Sequence, residues 1–211
     1  MYESERRSRH YYDRRAPVYD WSNRIVALLR GESAVRERLR AIDHLALKAG
    51  RRVLEVSVGT GSNLLLMAEQ VTPNGRLVGL DISSAMLSRC RRKLRRRNVK
   101  ADLVLGEAAH LPFADRAFDA VFHHGGIAEF GDKKGAIVEM MRVARPGAKV
   151  VVCDLGVPTD KKLGVMSRLL LKFQPTYEQP PPIDLIPQPA KDLHLTWFRG
   201  GAWYMIEFVN P

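Results

Sequence analysis

Two hydrophobic periodicities alternate along the chain as far as about residue 155. Short apolar runs, several rich in β-branched residues, are typical of buried strands, whereas apolar positions recurring every three or four residues are typical of amphipathic helices. The runs predict strands at Arg52–Val56, Leu77–Leu80, Asp102–Leu105, Phe118–Phe122 and Lys149–Cys153. The periodic stretches predict helices at Val35–Ala46, Ser62–Val71, after a cap at Ser83 or Ser84, and at Lys133–Ala144. Such alternation favours a parallel sheet wrapped by helices.

The pattern changes in the last quarter of the chain. A helix is predicted over Lys161–Phe173, followed by a proline-rich loop over Gln174–Pro189. Two more strands are predicted at Leu193–Phe198 and Trp203–Phe208, and the short link between them is typical of an antiparallel hairpin. The whole pattern predicts an α/β fold, a Rossmann-like, doubly wound sheet of seven strands. It would be mostly parallel, with a C-terminal antiparallel strand pair.

Charge is concentrated in one segment. The formal net charge is +11, and Arg89–Lys100 contains eight cations and no acid. A solvated helix face is the plain interpretation, an anionic membrane surface the next and nucleic acid the last. No aromatic residue interrupts these cations, which disfavours a base-stacking platform.

Composition narrows the class of protein further. Hydrophobic residues make up 45% and charged residues 27% of the chain, which is ordinary for a globular protein. No window of 18 apolar residues occurs and the first residues are charged, so neither a membrane span nor a signal peptide is predicted and a cytoplasmic enzyme is favoured. Cys90 and Cys153 occupy apolar periodic positions, which indicates core residues rather than a disulfide or metal site.

The segment Ser57–Gly61 connects a predicted strand to a predicted helix. Glycine has no Cβ, so Gly59 and Gly61 allow the backbone to approach a ligand closely. Asp81 ends the next strand twenty residues later, where a carboxylate can accept hydrogen bonds from the ribose hydroxyls of a nucleoside. The spacing does not match the G-x-G-x-x-G turn that binds a pyrophosphate, because Leu64 stands at the last glycine position.

This turn resembles motif I of the class I S-adenosylmethionine-dependent methyltransferases, acidic-x-G-x-G-x-G. Glu55, Gly59 and Gly61 match, and Ser57 replaces the first glycine. Gly106–Phe113 is similar to the family's loop after strand three, and Arg142–Gly147 resembles its R-V-L-K-P-G-G segment. Tyr12-Asp13 and Tyr19-Asp20 resemble the Y-D-x-x-A-x-x-Y-D arm of the UbiE/Coq5 group (methyltransferase type 11). These motifs cover about residues 11–155.

The resemblance implies S-adenosyl-L-methionine as cofactor, with S-adenosyl-L-homocysteine as product. It implies cofactor contacts from Tyr19, Glu55, Ser57, Gly59, Thr60, Gly61, Asp81, Ile82, Met86, Glu107, Ala108 and His123. Of these, Glu107 would take the adenine amino group, and His123 would hold the methionine ammonium through its backbone carbonyl. Residues 1–32 would form an arm over this site and 33–211 a single methyltransferase domain, in which 156–192 is a substrate lid.

The acceptor side is predicted from the end of strand four. Successive strand residues point to opposite faces, so only one of His123 and His124 can face the pocket and the pair predicts no metal site. His124 is the candidate general base. We expect a small apolar or lipid-like acceptor, either a quinone precursor or a phospholipid amine, with peripheral contact with an anionic membrane.

Two other functions remain open at this stage. A nucleic-acid (RNA) methyltransferase is disfavoured, because the basic run lies on a helix that faces away from the acceptor mouth and strand four carries no N-P-P-Y-type motif. A non-catalytic S-adenosylmethionine-binding protein is disfavoured by the intact Asp81, Glu107, Gly59 and Gly61.

Overall fold

The computed structural model describes residues 3–19, 21, 34–159, 175–198 and 202–211. The predicted helix Lys161–Phe173 and most of residues 20–33 in the predicted arm lie outside the described residues. The helices are α1 Glu3–Arg15, α2 Ala34–Asp43, α3 Ser62–Val71, α4 Ser84–Arg96 and α5 Lys133–Val143. The strands are β1 Arg52–Val56, β2 Arg76–Asp81, β3 Asp102–Leu105, β4 Phe118–His124, β5 Ala144–Leu155, β6 Lys191–Phe198 and β7 Trp203–Val209.

The strands form one seven-stranded sheet in the order β3-β2-β1-β4-β5-β7-β6. The first five strands pair in parallel, whereas β7 is antiparallel to both β5 and β6. The predicted fold, including the C-terminal antiparallel pair, is therefore confirmed. Because the strand order reverses between β1 and β4, a crevice opens at the carboxyl ends of these two strands.

Helices cover both faces of the sheet because alternate strand residues are apolar on both sides. On one face Val121 and Val150 pack with Ile137 and Met140 of α5. On the other, Phe122 packs in a cluster with residues of α2, α3 and α4, which include Ile42, Met67 and Cys90. Cys90 and Cys153 are both fully buried and free, as the sequence predicts.

The predicted link between the helix that ends at Ala144 and the strand that begins at Lys149 is instead part of the strand. The chain passes directly from α5 into β5 at Ala144, which pairs with Phe118. The ladder is then irregular until Ala120 pairs with Lys149, so Pro146 lies within a bulge. A bulge tolerates proline because the missing N–H has no ladder partner to lose.

Helix α1 lies against the amino end of α4. Asp13 Oδ1 accepts hydrogen bonds from Ser83 Oγ at 2.5 Å and from the Ala85 backbone N–H at 3.2 Å. Ser83 also caps α4, accepting from the Met86 N–H at 3.1 Å, which confirms one of the two predicted caps. Within the described ranges, we find no helix with both the length and the apolar character needed to cross a bilayer.

Candidate active site at the carboxyl ends of the strands

The turn after β1 is held in the left-handed backbone region. Ser57, Gly59 and Gly61 have φ angles of +60°, +54° and +79°. A Cβ on Gly61 would collide with Sγ of Cys90, so this glycine lets the start of α3 pack against α4. A Cβ on Gly59 would meet nothing within 4 Å, which leaves the backbone there open to a ligand.

Asp81 joins this turn to the turn after β2. Its Oδ2 accepts from the Gly59 N–H at 2.7 Å, and its Oδ1 accepts from the Ser83 N–H at 2.9 Å. Burial raises the pKa of Asp81 to about 6 despite these donors. Each carboxylate oxygen can accept a further hydrogen bond, so Asp81 retains acceptors for ligand hydroxyls.

Glu55, on β1 just before the turn, connects the strand to helix α3 through hydrogen bonds. Its Oε1 accepts from Asn63 Nδ2 at 2.6 Å, and Arg38 in turn donates to Asn63 Oδ1 at 2.7 Å. Glu55 Oε2 is buried with no hydrogen-bond partner in the described part of the chain. Burial raises the pKa of Glu55 to about 8.

A cleft opens beside these residues. It is lined by Ser8, Ser57, Leu80, Ile82, Gly106, Glu107, Ala108, Ala109, Glu129, Phe130 and Asp132. The structure thus brings together the predicted residues Ser57, Ile82, Glu107 and Ala108, although they come from turns after three different strands. Asp81 lies directly behind, between Gly59 and Ser83.

The other eight predicted cofactor residues are not among those lining this cleft, and Thr60, Met86 and Tyr19 have partners elsewhere. The Thr60 hydroxyl accepts from Lys93 Nζ at 2.8 Å, and the Met86 side chain is buried. The Tyr19 ring packs edge-on against Tyr12, with ring centroids 6.2 Å apart. A cofactor contact for these residues stays a prediction.

The two histidines at the end of β4 lie on opposite faces, as expected. His123 Nδ1 lies 3.1 Å from the Val56 carbonyl oxygen and must donate to it, while its ring packs against Phe130. The His124 ring lies 4.9 Å from Trp203 and 5.9 Å from Phe122. Burial lowers the pKa of His123 to about 4 and that of His124 well below its ordinary value, so both rings are neutral at pH 7.

A polar cluster beyond Phe130 was not predicted. Glu129 lies in a 3₁₀ turn over Ile127–Glu129 and accepts from Tyr177 Oη at 3.1 Å and from Ser8 Oγ at 3.4 Å. The Tyr12 hydroxyl is also hydrogen-bonded to Glu129. The cluster therefore unites α1, the turn after β4 and the segment at Tyr177.

Asp154, at the end of β5, holds that turn in place. Its Oδ2 accepts from the N–H groups of Gly126 and Ala128 at 3.1 and 3.0 Å, and its Oδ1 from the Leu155 N–H at 2.8 Å. An acid ending a parallel strand was a usable signal, since the same rule identified Asp81. Glu129 carried no such signal, because its partners converge only in the folded chain.

Comparison with known proteins identifies the family. Residues 1–173 match the family model described as the ubiE/COQ5 methyltransferase family. The chain belongs to this family. It is accordingly an S-adenosylmethionine-dependent methyltransferase.

Curated relatives support the same assignment. A demethylmenaquinone methyltransferase of Thermus thermophilus is 36% identical over 154 residues, covering 73% of this chain and 68% of its own. A protein of that name from Bacillus cereus (strain ATCC 10987) is 33% identical over 171 residues, covering 81% and 70%. The one from Renibacterium salmoninarum is 36% identical over 149 residues, covering 70% and 58%. The match thus leaves about a third or more of each relative uncovered.

Solved structures show the same fold at much lower identity. Phosphoethanolamine N-methyltransferase 2 of Haemonchus contortus, solved with S-adenosyl-L-methionine, aligns with a TM-score of 0.70 at 16% identity over 83% of this chain and 52% of its own. Geranyl diphosphate C-methyltransferase of Streptomyces coelicolor aligns with a TM-score of 0.69 at 11% identity over 83% and 76–79%. At such low identity the likeness shows the shared fold and gives no information about the methyl acceptor.

Proposed function

We propose that this chain transfers the methyl group of S-adenosylmethionine to a small, lipid-like aromatic acceptor that carries a hydroxyl group, of the quinone-precursor class. The observation that carries the proposal is a cleft that runs from Ser57, in the turn after β1, to Glu129. The names of the curated relatives support an acceptor of this class.

The cofactor side of the proposal rests on donors and acceptors that fit an adenosine group. We propose that Asp81 accepts from the ribose hydroxyls, that Glu107 takes the adenine amino group and that the Ala108 N–H meets the ring. The open backbone at Gly59 and the His123 carbonyl would hold the methionine part. When bound, the cofactor supplies an activated methyl group, and the protein supplies proximity, orientation and exclusion of water.

An acceptor screen with labelled cofactor tests this function. The panel contains reduced demethylmenaquinone in detergent micelles, phospholipids, small amines and tRNA. We expect label in the quinol fraction. Label in the lipid or amine fraction alone would contradict the acceptor class, and label in tRNA would favour the nucleic-acid alternative.

Replacing Asp81 with Ala tests the cofactor site. We expect binding of S-adenosylmethionine, measured by isothermal titration, to weaken at least 100-fold, as several hydrogen bonds to a buried charged group are lost. The matched control is Asp102→Ala, which removes an exposed carboxylate paired with Arg76 at the opposite end of the sheet and should bind normally. Unchanged binding by the Asp81 variant would refute the site.

We further propose that the chain works peripherally at the cytoplasmic surface of an anionic membrane. Six cations of the basic run are exposed: Arg91, Arg92, Arg95, Arg96, Arg97 and Lys100. The neighbouring helix α1 leads to exposed Val18 and Trp21, which suit the interfacial region of a bilayer. Binding to vesicles of anionic lipid tests this proposal.

A further inference from the structure

We infer that Glu129 is the general base that removes the hydroxyl proton of the acceptor, with Tyr12 and Tyr177 as the hydroxyl partners that accommodate the transferred proton. The inference rests on the proposed function, because it requires an acceptor with a hydroxyl group. It assigns to Glu129 the role that the sequence alone suggested for His124.

The first support is position. Glu129 lines the same cleft as Ser57, Ile82 and Glu107, and it stands at the end nearest β4. It is half-buried, so its carboxylate is shielded from water and yet reachable from the cleft. A general base must come within hydrogen-bonding distance of the proton it removes. Glu129 and its neighbour Phe130 both line the cleft, so an acceptor hydroxyl that enters there would meet the Glu129 carboxylate.

The second support is the chemistry of its partners. In the part of the chain that the structure describes, three groups are hydrogen-bonded to Glu129, and all are hydroxyls: those of Ser8, Tyr12 and Tyr177. A hydroxyl can rotate and can both donate and accept, whereas a backbone N–H can only donate. Tyr12 and Tyr177 are also hydrogen-bonded to each other, so the network can rearrange when Glu129 becomes protonated.

Other titratable groups at these strand ends are poorly suited to the role. The Asp154 carboxylate accepts hydrogen bonds from three backbone N–H groups. These groups can only donate, so a proton on this carboxylate would disrupt the hydrogen bonds. His123 Nδ1 is committed to the Val56 carbonyl. His124 packs against Trp203 and Phe122 in an apolar setting, which disfavours its charged form.

The proton-transfer step is balanced. The O–H bond of the acceptor breaks, its electron pair stays on the acceptor oxygen, and a new O–H bond forms on the Glu129 carboxylate. The electron-rich ring carbon then forms a bond to the methyl group, and the carbon–sulfur bond of the cofactor breaks with its electron pair on sulfur. The ring C–H bond breaks next, its electron pair restores the aromatic ring, and that proton returns to the acceptor oxygen. Glu129 releases the first proton to solvent, so one proton per turnover leaves through Glu129.

The pH profile of methylation distinguishes this role from a structural one. Burial raises the pKa of Glu129, and the titratable groups that interact with it are Arg15, Tyr12, Tyr177 and Asp154; Tyr19 lies next to the two tyrosines. The Tyr177 hydroxyl stabilises the carboxylate, so Tyr177→Phe should raise the pKa of Glu129 and move the acid limb of kcat/KM to higher pH. An acid limb unmoved in Tyr177→Phe would overturn the inference.

The decisive variant is Glu129→Gln, assayed with reduced demethylmenaquinone. We expect kcat to fall about 10²-fold or more and the acid limb to disappear, while binding of S-adenosylmethionine by isothermal titration stays within twofold. Glu69→Gln, an identical change on the exposed side of α3, should leave kcat unchanged. Retention of kcat within threefold, or loss of cofactor binding together with activity, would remove Glu129 from the chemistry.

Failure of the proposed function gives a different result. A wild-type chain that binds S-adenosylmethionine but methylates no hydroxylated ring would overturn the acceptor class, and the role of Glu129 with it. An active wild type with an equally active Glu129→Gln variant would overturn the role of Glu129 alone. A fall in kcat for His124→Phe but not for Glu129→Gln would return the role to His124.

Discussion

Ser57 holds a backbone conformation that glycine adopts without cost. Its φ of +60° places a Cβ in the left-handed region, which costs an L-residue roughly 1–2 kcal/mol. Glycine loses more chain entropy on folding than serine does, and this loss offsets about 0.4–1 kcal/mol of the strain energy that the substitution removes. We therefore predict that Ser57→Gly raises the free energy of unfolding by up to about 1 kcal/mol, or about 2–4 °C in Tm, measured by calorimetry.

Ser57→Ala is the matched control for this prediction. Alanine removes the hydroxyl but keeps the Cβ, so the strain remains and no gain in Tm is expected. If alanine and glycine stabilise the chain equally, the hydroxyl and not the backbone is responsible. At Gly61 the situation differs from that at Ser57, because a Cβ there would also collide with Cys90. The turn therefore tolerates serine at position 57 but requires glycine at position 61.

At the scale of elements, one carboxylate joins α1 to the amino end of α4. Asp13 accepts from Ser83 Oγ and from the Ala85 N–H at the amino end of α4. An acceptor at this position of a helix contributes about 0.5–2 kcal/mol, and a negative charge adds to it. We predict that Asp13→Ala lowers the free energy of unfolding by about 1 kcal/mol and speeds amide exchange throughout α1, measured by hydrogen–deuterium exchange.

Asp13→Asn separates the two contributions. Asparagine keeps an acceptor oxygen and loses the charge, so protection of α1 should lie between that of the wild type and of the alanine variant. Equal protection in all three chains would mean that other contacts hold α1 in place.

The regular elements could be predicted because their signals are local. Strand β1, helix α3 and the Ser83 cap follow from apolar periodicity and capping chemistry within a few residues. The cofactor residues near Gly59 and Asp81 were also predictable, because parallel strands bring their carboxyl ends to one edge. The Glu129 cluster was not, since it depends on α1 and the segment at Tyr177 meeting the same turn, and the bulge at Pro146 depends on the pairing of β4 with β5.

At the scale of the whole molecule, buried carboxyl groups set how stability responds to pH. The pKa of Glu55 is raised to about 8 and that of Asp154 to about 7, both by burial. Above pH 6.5 the folded chain therefore holds protons that the unfolded chain has released, and stability falls as pH rises. The neutral histidines oppose this trend only below their ordinary pKa near 6.5.

We therefore predict that Tm declines between pH 6.5 and about 8, as the free energy of unfolding falls by at most about 1.4 kcal/mol per pH unit for each proton. The decline should become shallower in Glu55→Gln, which keeps the shape of the side chain and cannot ionise. Calorimetry across this range checks the prediction, and a Tm that rises from pH 6.5 to 8 would contradict it.

The proposed membrane association would depend on the charge of the whole molecule and on where that charge lies. A cation near an anionic surface contributes about 1 kcal/mol, so Arg92→Gln with Arg96→Gln should weaken binding to phosphatidylglycerol-containing vesicles about 10- to 30-fold. Lys48→Gln with Lys134→Gln changes the net charge equally at exposed sites outside the basic run, and this double variant should bind nearly as the wild type does. Sedimentation with vesicles measures the binding of both double variants. Added salt should weaken binding, and vesicles of pure phosphatidylcholine should not bind the chain.

Equal losses in the two double variants would show that net charge alone determines binding. Tighter binding to tRNA than to vesicles at the same salt concentration would mean that the basic run serves nucleic acid instead.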